Sequence, residues 1–83
     1  MRYIKDIPNG QYKISLFQWN GKYIVKFEAG GHYEQTYKLD ETDILAVEEI
    51  DVLLDAEFLE GVTQRFQLMH GDLQASGQRN HIL

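Results

Sequence analysis

The side chains able to do chemistry are few in this chain, and they stand apart from one another. Nucleophilic catalysis needs a serine, threonine or cysteine beside an activating base. There is no cysteine, and the serines, Ser15 and Ser76, fall in mid-strand and at a helix end, outside any G-x-S-x-G pattern. His32 with Glu34, and His70 with Asp72, are two-residue pairs without the third and fourth convergent ligand that a metal ion requires. His81 is isolated near the chain end. The acidic pairs Glu48-Glu49, Asp40 with Asp43 and Glu57 with Glu60 suit helix caps and polar helix surfaces, where solvation keeps carboxylates ordinary. Gly30-Gly31 belongs to no phosphate-binding pattern and reads as a turn. The expectation is a protein without catalysis, cofactor or metal.

What remains is a set of lysines and aromatic residues on one hairpin, Gln11 to Ala29, reading QYKISLFQWNGKYIVKFEA. Asn20-Gly21 between two strand-forming runs is the strongest short hairpin signal. A two-residue turn there sets Trp19 opposite Lys22, and the period of two then divides the hairpin into faces. One face takes Tyr12, Ile14, Leu16, Tyr23, Val25, Phe27 and Ala29, with Gln18, and is almost wholly apolar. The other takes Phe17, Trp19 and Ile24 among Lys13, Lys22, Lys26, Ser15 and Glu28. A three-residue loop at Gly30-Gly31-His32 extends the pattern, so that Tyr33, Gln35, Tyr37 and Leu39 join the apolar face. Glu34, Thr36 and Lys38 join the mixed one. A two-residue loop would instead bury Glu34 and Lys38.

The elements around the hairpin follow from the same reasoning. Tyr3 to Ile7 reads as a further strand ending at Pro8-Asn9-Gly10, with Gly10 in the left-handed position of a three-residue loop. If it pairs without interruption, Tyr3, Lys5 and Ile7 extend the mixed face. Ile44 to Leu54 has no clean period and reads as a short helical or irregular connector. From Asp55, a helix cap, the stripe Phe58, Leu59, Val62, Phe66, Met69 and Leu73 marks a helix of about five turns. Glu57 and Glu60 favour its positive end. Gly61 borders the stripe and suggests close approach of helix to sheet, and Leu68 falls outside it. The expected fold is α+β: a three- to four-stranded antiparallel β-meander covered on one face by a long C-terminal α-helix. It forms a single domain over 1–76, followed by a frayed tail at 77–83.

Composition sets the limits. At 83 residues the chain buries only about 60% of its unfolded surface, and it has no disulfide to compensate. Self-association would add buried area. No apolar run is long enough for a membrane span, and no apolar leader precedes the first strand, so the expectation is a cytoplasmic domain without a membrane partner. The net charge is −5. Residues 1–38 carry six basic and three acidic groups, residues 39–83 two and ten.

The mixed face therefore carries the functional question: Phe17, Trp19 and Ile24 ringed by Lys13, Lys22, Lys26 and Lys38. In one reading Trp19 stacks on Lys22 and Phe17 on Ile24, and these cross-strand pairs only stabilise an exposed sheet. In a second the face is an interface, most simply a two-fold homodimer or a contact with another protein, with Phe17 and Trp19 as anchors. In a third the aromatics stack on unpaired bases while lysines follow the phosphates. The element order from Tyr3 to Ala75, with the segments KISLFQW and KYIVKF, resembles the single-stranded nucleic-acid-binding domains of the PC4 and Pur-alpha type. That resemblance implies a sheet presenting basic and aromatic residues, a helix over the opposite face, and dimers.

Overall fold

An Asn-Gly pair reverses the chain in two residues because both positions accept a left-handed backbone. Asn20 and Gly21 do so, with φ of 54° and 76°. The turn fixes Trp19 opposite Lys22 and each pair down to Lys13 opposite Glu28, joining β2 (Lys13–Trp19) to β3 (Lys22–Ala29). Gly30 and Gly31 also take positive φ, and Ala29 lies opposite Tyr33 at the start of β4 (Tyr33–Asp40). With β1 (Arg2–Ile7) on the other edge, the computed structural model, which describes all 83 residues, shows an antiparallel meander in the order β1-β2-β3-β4. A long C-terminal helix follows it, so the fold is α+β.

The first strand departs from simple alternation. Tyr3 is opposite Phe17 and Lys5 is opposite Leu16, leaving Ile4 as the extra residue of a β-bulge. One extra residue reverses the facing of everything beyond it. Tyr3 and Asp6 consequently face away from the helices, while Lys5 and Ile7 turn towards them. Ile7 enters the core, and the Lys5 ammonium pairs with Asp51 at 3.0 Å. Placing Tyr3, Lys5 and Ile7 together on the outer face is thus right only for Tyr3. The physical reason is that Ile4 and Ile7 both pack on the core side, three residues apart, which an unbroken strand does not permit. The following loop also differs from expectation. Gly10 does not take positive φ. The Asn9 side-chain carbonyl instead accepts the Gln11 and Tyr12 N–H groups at 2.8 and 2.9 Å, an Asx turn.

One layer of helix covers one face of the sheet. After a 3₁₀ turn at Glu41–Asp43, α1 (Glu48–Leu53) inserts Ile50 into the core and leaves Val52 exposed, as is Leu45 in the turn before it. The connector therefore both packs on the domain and presents apolar surface. α2 (Ala56–Arg79) is capped by Asp55, whose carboxylate accepts the Phe58 N–H at 2.8 Å. Val62 and Phe66 are buried against Ile7, Ile14, Leu16, Val25, Phe27 and Ile50, with Phe58, Leu59 and Met69 packed around them. Leu73 leaves the expected stripe and is half-exposed. His70 already meets Tyr33, the first residue of β4, so the next helical turn runs past the strand's end.

α2 continues to Arg79, beyond the boundary expected at 76. The Ile82 N–H then donates to the Gly77 carbonyl at 2.8 Å and the His81 N–H to that of Gln78 at 3.2 Å, with His81 at φ 57°. This is a Schellman cap, and it folds Leu83 back onto the space left by Gly77, where a Cβ would meet that side chain at 2.6 Å. The frayed tail expected for 77–83 is replaced by three helical residues and a closed cap. Gly61 likewise serves a role other than helix–sheet approach. The atom nearest to a Cβ there would be Nη1 of the Arg65 guanidinium, at 3.1 Å.

The bulge makes Ile7 a core residue. Ile7→Ala should cost roughly 2–4 kcal/mol in urea unfolding, as large-to-small core changes do. A loss below about 0.5 kcal/mol, typical of surface positions, would mean that β1 runs without a bulge.

Candidate interaction face on the sheet

The face opposite the helices is built row by row from the register. Across β4, β3, β2 and β1 the rows read Asp40–Lys22–Trp19, Lys38–Ile24–Phe17–Tyr3, Thr36–Lys26–Ser15–Asp6, and Glu34–Glu28–Lys13. All seven residues singled out in the sequence, Lys13, Phe17, Trp19, Lys22, Ile24, Lys26 and Lys38, lie on this one surface. They contribute differently. Ile24 is only 6% exposed, and Ser15 is buried as well, so both form the floor of the face. Trp19 and Tyr3 stand above it, 54% and 55% exposed, with the half-buried Phe17 between them. Tyr3 meets Phe17 edge-to-face at a centroid distance of 5.8 Å.

Trp19 has no partner in its own chain. Stacking of Lys22 on the indole does not form, because the Lys22 ammonium reaches across to Asp40 at 2.5 Å. The only cation–π contacts are those of Arg65 with Tyr37 and Phe58, and Trp19 enters no aromatic pair. A large aromatic side chain held on a strand beside a turn, more than half exposed and without a hydrogen bond, is with Tyr3 one of the two most accessible aromatic groups on this face.

The lysines are balanced by carboxylates that the sequence distributes over three strands. Lys26 lies 3.0 Å from Glu28 and 3.8 Å from Glu34. Lys13 and Lys38 make no ion pair. Asp6, Glu28, Glu34 and Asp40 are equal in number to the four lysines, so the face as a whole carries no net charge. The hydrogen bond and charge of Glu28, followed by the charge of Glu34, raise the Lys26 pKa above its ordinary value. Partial desolvation, then the hydrogen bond and charge of Asp6, raise that of the Tyr3 phenol.

Two features of the face were hidden in the sequence. Asp6 joins it only because of the bulge, which puts its carboxylate on the same side as the Tyr3 phenol. The two histidine–carboxylate pairs do not become a site. The His70 Nδ1 lies 2.9 Å from the Tyr33 hydroxyl, and no group of three or more His, Asp or Glu side chains converges anywhere. No helix is long and apolar enough to cross a membrane.

Because the Tyr3 pKa is raised in the folded state, its contribution to stability is complete below the ordinary phenol value of 10.0. It is lost as the pH rises through the higher folded value. Alkaline absorbance titration of the wild type minus Tyr3→Phe should therefore show a tyrosinate transition centred above pH 10.0. A difference transition at or below that pH would contradict a partly desolvated phenol with Asp6 beside it.

No known protein family, curated protein or solved structure matches the chain, so its geometry alone carries the functional reading.

Proposed function

We propose that this protein is a small non-catalytic interaction module whose helix-free sheet face pairs with the same face of a second copy. The observation that carries the reading is Trp19: more than half exposed on a rigid strand, adjoining Phe17 and Tyr3, with no partner in its own chain. Tryptophan and tyrosine surrounded by a polar rim are the residues that dominate protein interfaces.

Charge favours a protein partner over a nucleic acid. Binding to a phosphate backbone requires a surplus of cations. Here Lys22 and Lys26 are already paired with carboxylates, and the face has no surplus. Equal numbers of lysines and carboxylates on one surface suit a two-fold contact, in which each patch meets its own copy and a lysine of one protomer can meet a carboxylate of the other. The contact must also be large enough. A specific dimer buries about 800 Å² on each partner. Four strands at about 4.8 Å spacing and eight residues at about 3.3 Å give a projected area of roughly 500 Å², before side-chain relief is added. The aromatic corner alone is too small, and the interface needs most of the face.

Sedimentation equilibrium tests this. The wild type should be dimeric, and Trp19→Ala should raise the dimer dissociation constant at least about 30-fold, as loss of a tryptophan anchor does. Phe17→Asp should abolish dimerisation, whereas Leu68→Ala, on the exposed side of α2, should leave it unchanged. A wild type that is monomeric at every working concentration would overturn the proposal.

A further inference from the structure

The helix-covered side of the sheet contains a cavity that its own side chains do not fill. Val25 and Phe27 of β3, Tyr37 and Leu39 of β4, Ile50 and Leu53 of α1, Leu54, and Phe58 of α2 line a partly open cavity of about 230 Å³. All eight linings are apolar residues or aromatic rings, and Val25, Phe27 and Ile50 are fully buried. Protein cores are packed to near crystal density, with few voids larger than a water molecule. Water gains little here, because it needs two or more polar partners, and the Tyr37 hydroxyl is already committed to Gln35 at 2.7 Å. Apolar cavities of about 150 Å³ admit a benzene ring. This one is larger, and the half-exposed Leu53 stands at its edge.

A cation stands beside this cavity. The Arg65 guanidinium lies 5.7 Å from the ring centre of Tyr37 and 5.6 Å from that of Phe58, two of the lining rings. Its Nε donates to the Gln35 Oε1 at 3.0 Å, and Gln35 is in turn anchored on the Val62 carbonyl at 2.9 Å. The fork is held at its stem, while its terminal Nη atoms donate to nothing in the chain, and Arg65 makes no ion pair. Gly61 leaves the space in which that fork lies. An open cleft of about 380 Å³ runs along Arg65, Gly61, Asp55 and Glu57, and it shares Leu53 and Phe58 with the apolar cavity.

We propose that this cleft binds a small amphipathic carboxylate, its aromatic or branched aliphatic end in the cavity and its carboxylate on the free edge of the Arg65 guanidinium. A planar fork with two unused donors matches a carboxylate in bidentate fashion. Asp55 and Glu57 line the same cleft and disfavour a dianion such as phosphate more strongly than a singly charged carboxylate. Few polar groups at the rim of an apolar cavity is the usual construction of a small-molecule site. The site is on the opposite side of the sheet from Trp19, so its test is independent of the dimer.

The test is a titration of the ¹⁵N-labelled full chain with 3-phenylpropionate, followed by NMR. Saturable shifts should appear at the amides of Leu53, Phe58 and Arg65. The neutral analogue 3-phenylpropanol should bind about tenfold more weakly, and Arg65→Gln should weaken the acid by a similar factor. Leu53→Trp, which fills the cavity edge from a half-exposed position, should abolish binding while the spectrum stays dispersed. If Arg65→Gln does not fold, Arg65→Lys keeps the charge without the fork and should still weaken the acid relative to the alcohol. The proposal is overturned if the folded wild type shows no saturable shift at millimolar 3-phenylpropionate, if acid and alcohol bind equally, or if the shifts map elsewhere.

Discussion

The contact of α2 with the inner face of the sheet, through Phe58, Val62 and Phe66, determines the rest of the molecule. One helix covers one side of a four-stranded sheet, so the other side has only its own residues for cover. The helix side therefore holds nearly every apolar residue the chain can bury, and the far side is built from lysine–carboxylate pairs around a few aromatics. Ile24 and Ser15, buried beneath those longer side chains, give the outer face a floor without a second layer. With no disulfide and a core of this size, stability rests on packing and on buried polar groups that are all paired. The Gln35 carboxamide is the clearest such group. It joins β4 to α2 through Val62 and Arg65 and also accepts the Tyr37 hydroxyl, and removing it would leave these partly buried groups unpaired at a cost of about 1–3 kcal/mol.

Much of this was legible in the sequence because turn chemistry has few solutions. Asn20-Gly21 determined the register from Trp19–Lys22 down to Lys13–Glu28, and burial logic at Glu34 and Lys38 selected the three-residue loop that aligns Ala29 with Tyr33. Asp55 and the stripe from Phe58 to Met69 marked the covering helix. The seven residues of the candidate face were placed together for the same reason, since a known register assigns every side chain to a side.

The parts that could not be read depend on contacts distant in sequence. The bulge at Ile4 exists because Ile4 and Ile7 both find core partners, and nothing local signals it. Its consequences, the Lys5–Asp51 ion pair and the Tyr3–Asp6 neighbourhood, were invisible for that reason. In the sequence Gln35 is a polar residue on an apolar face, and nothing there links it to Arg65. Only the crossing of α2 over β4 makes them one network. Gly61 and Gly77 are explained in a similar way, by the Arg65 guanidinium and the Leu83 side chain that occupy their missing Cβ positions. Nor does periodicity reveal the cavity beside Phe58, because all eight of its walls belong to residues that any core pattern accepts.

Trp19 is the only tryptophan in the chain and the proposed anchor of the interface, so its own fluorescence reports the central claim directly. Emission is measured on wild-type protein diluted through the concentration range in which sedimentation is followed. The account predicts a blue-shifted indole at high concentration that moves to the solvent-exposed maximum on dilution, with a midpoint equal to the dimer dissociation constant. A solvent-exposed emission maximum that does not change with concentration, in a protein that sediments as a dimer, would show that the two copies meet elsewhere and would contradict it.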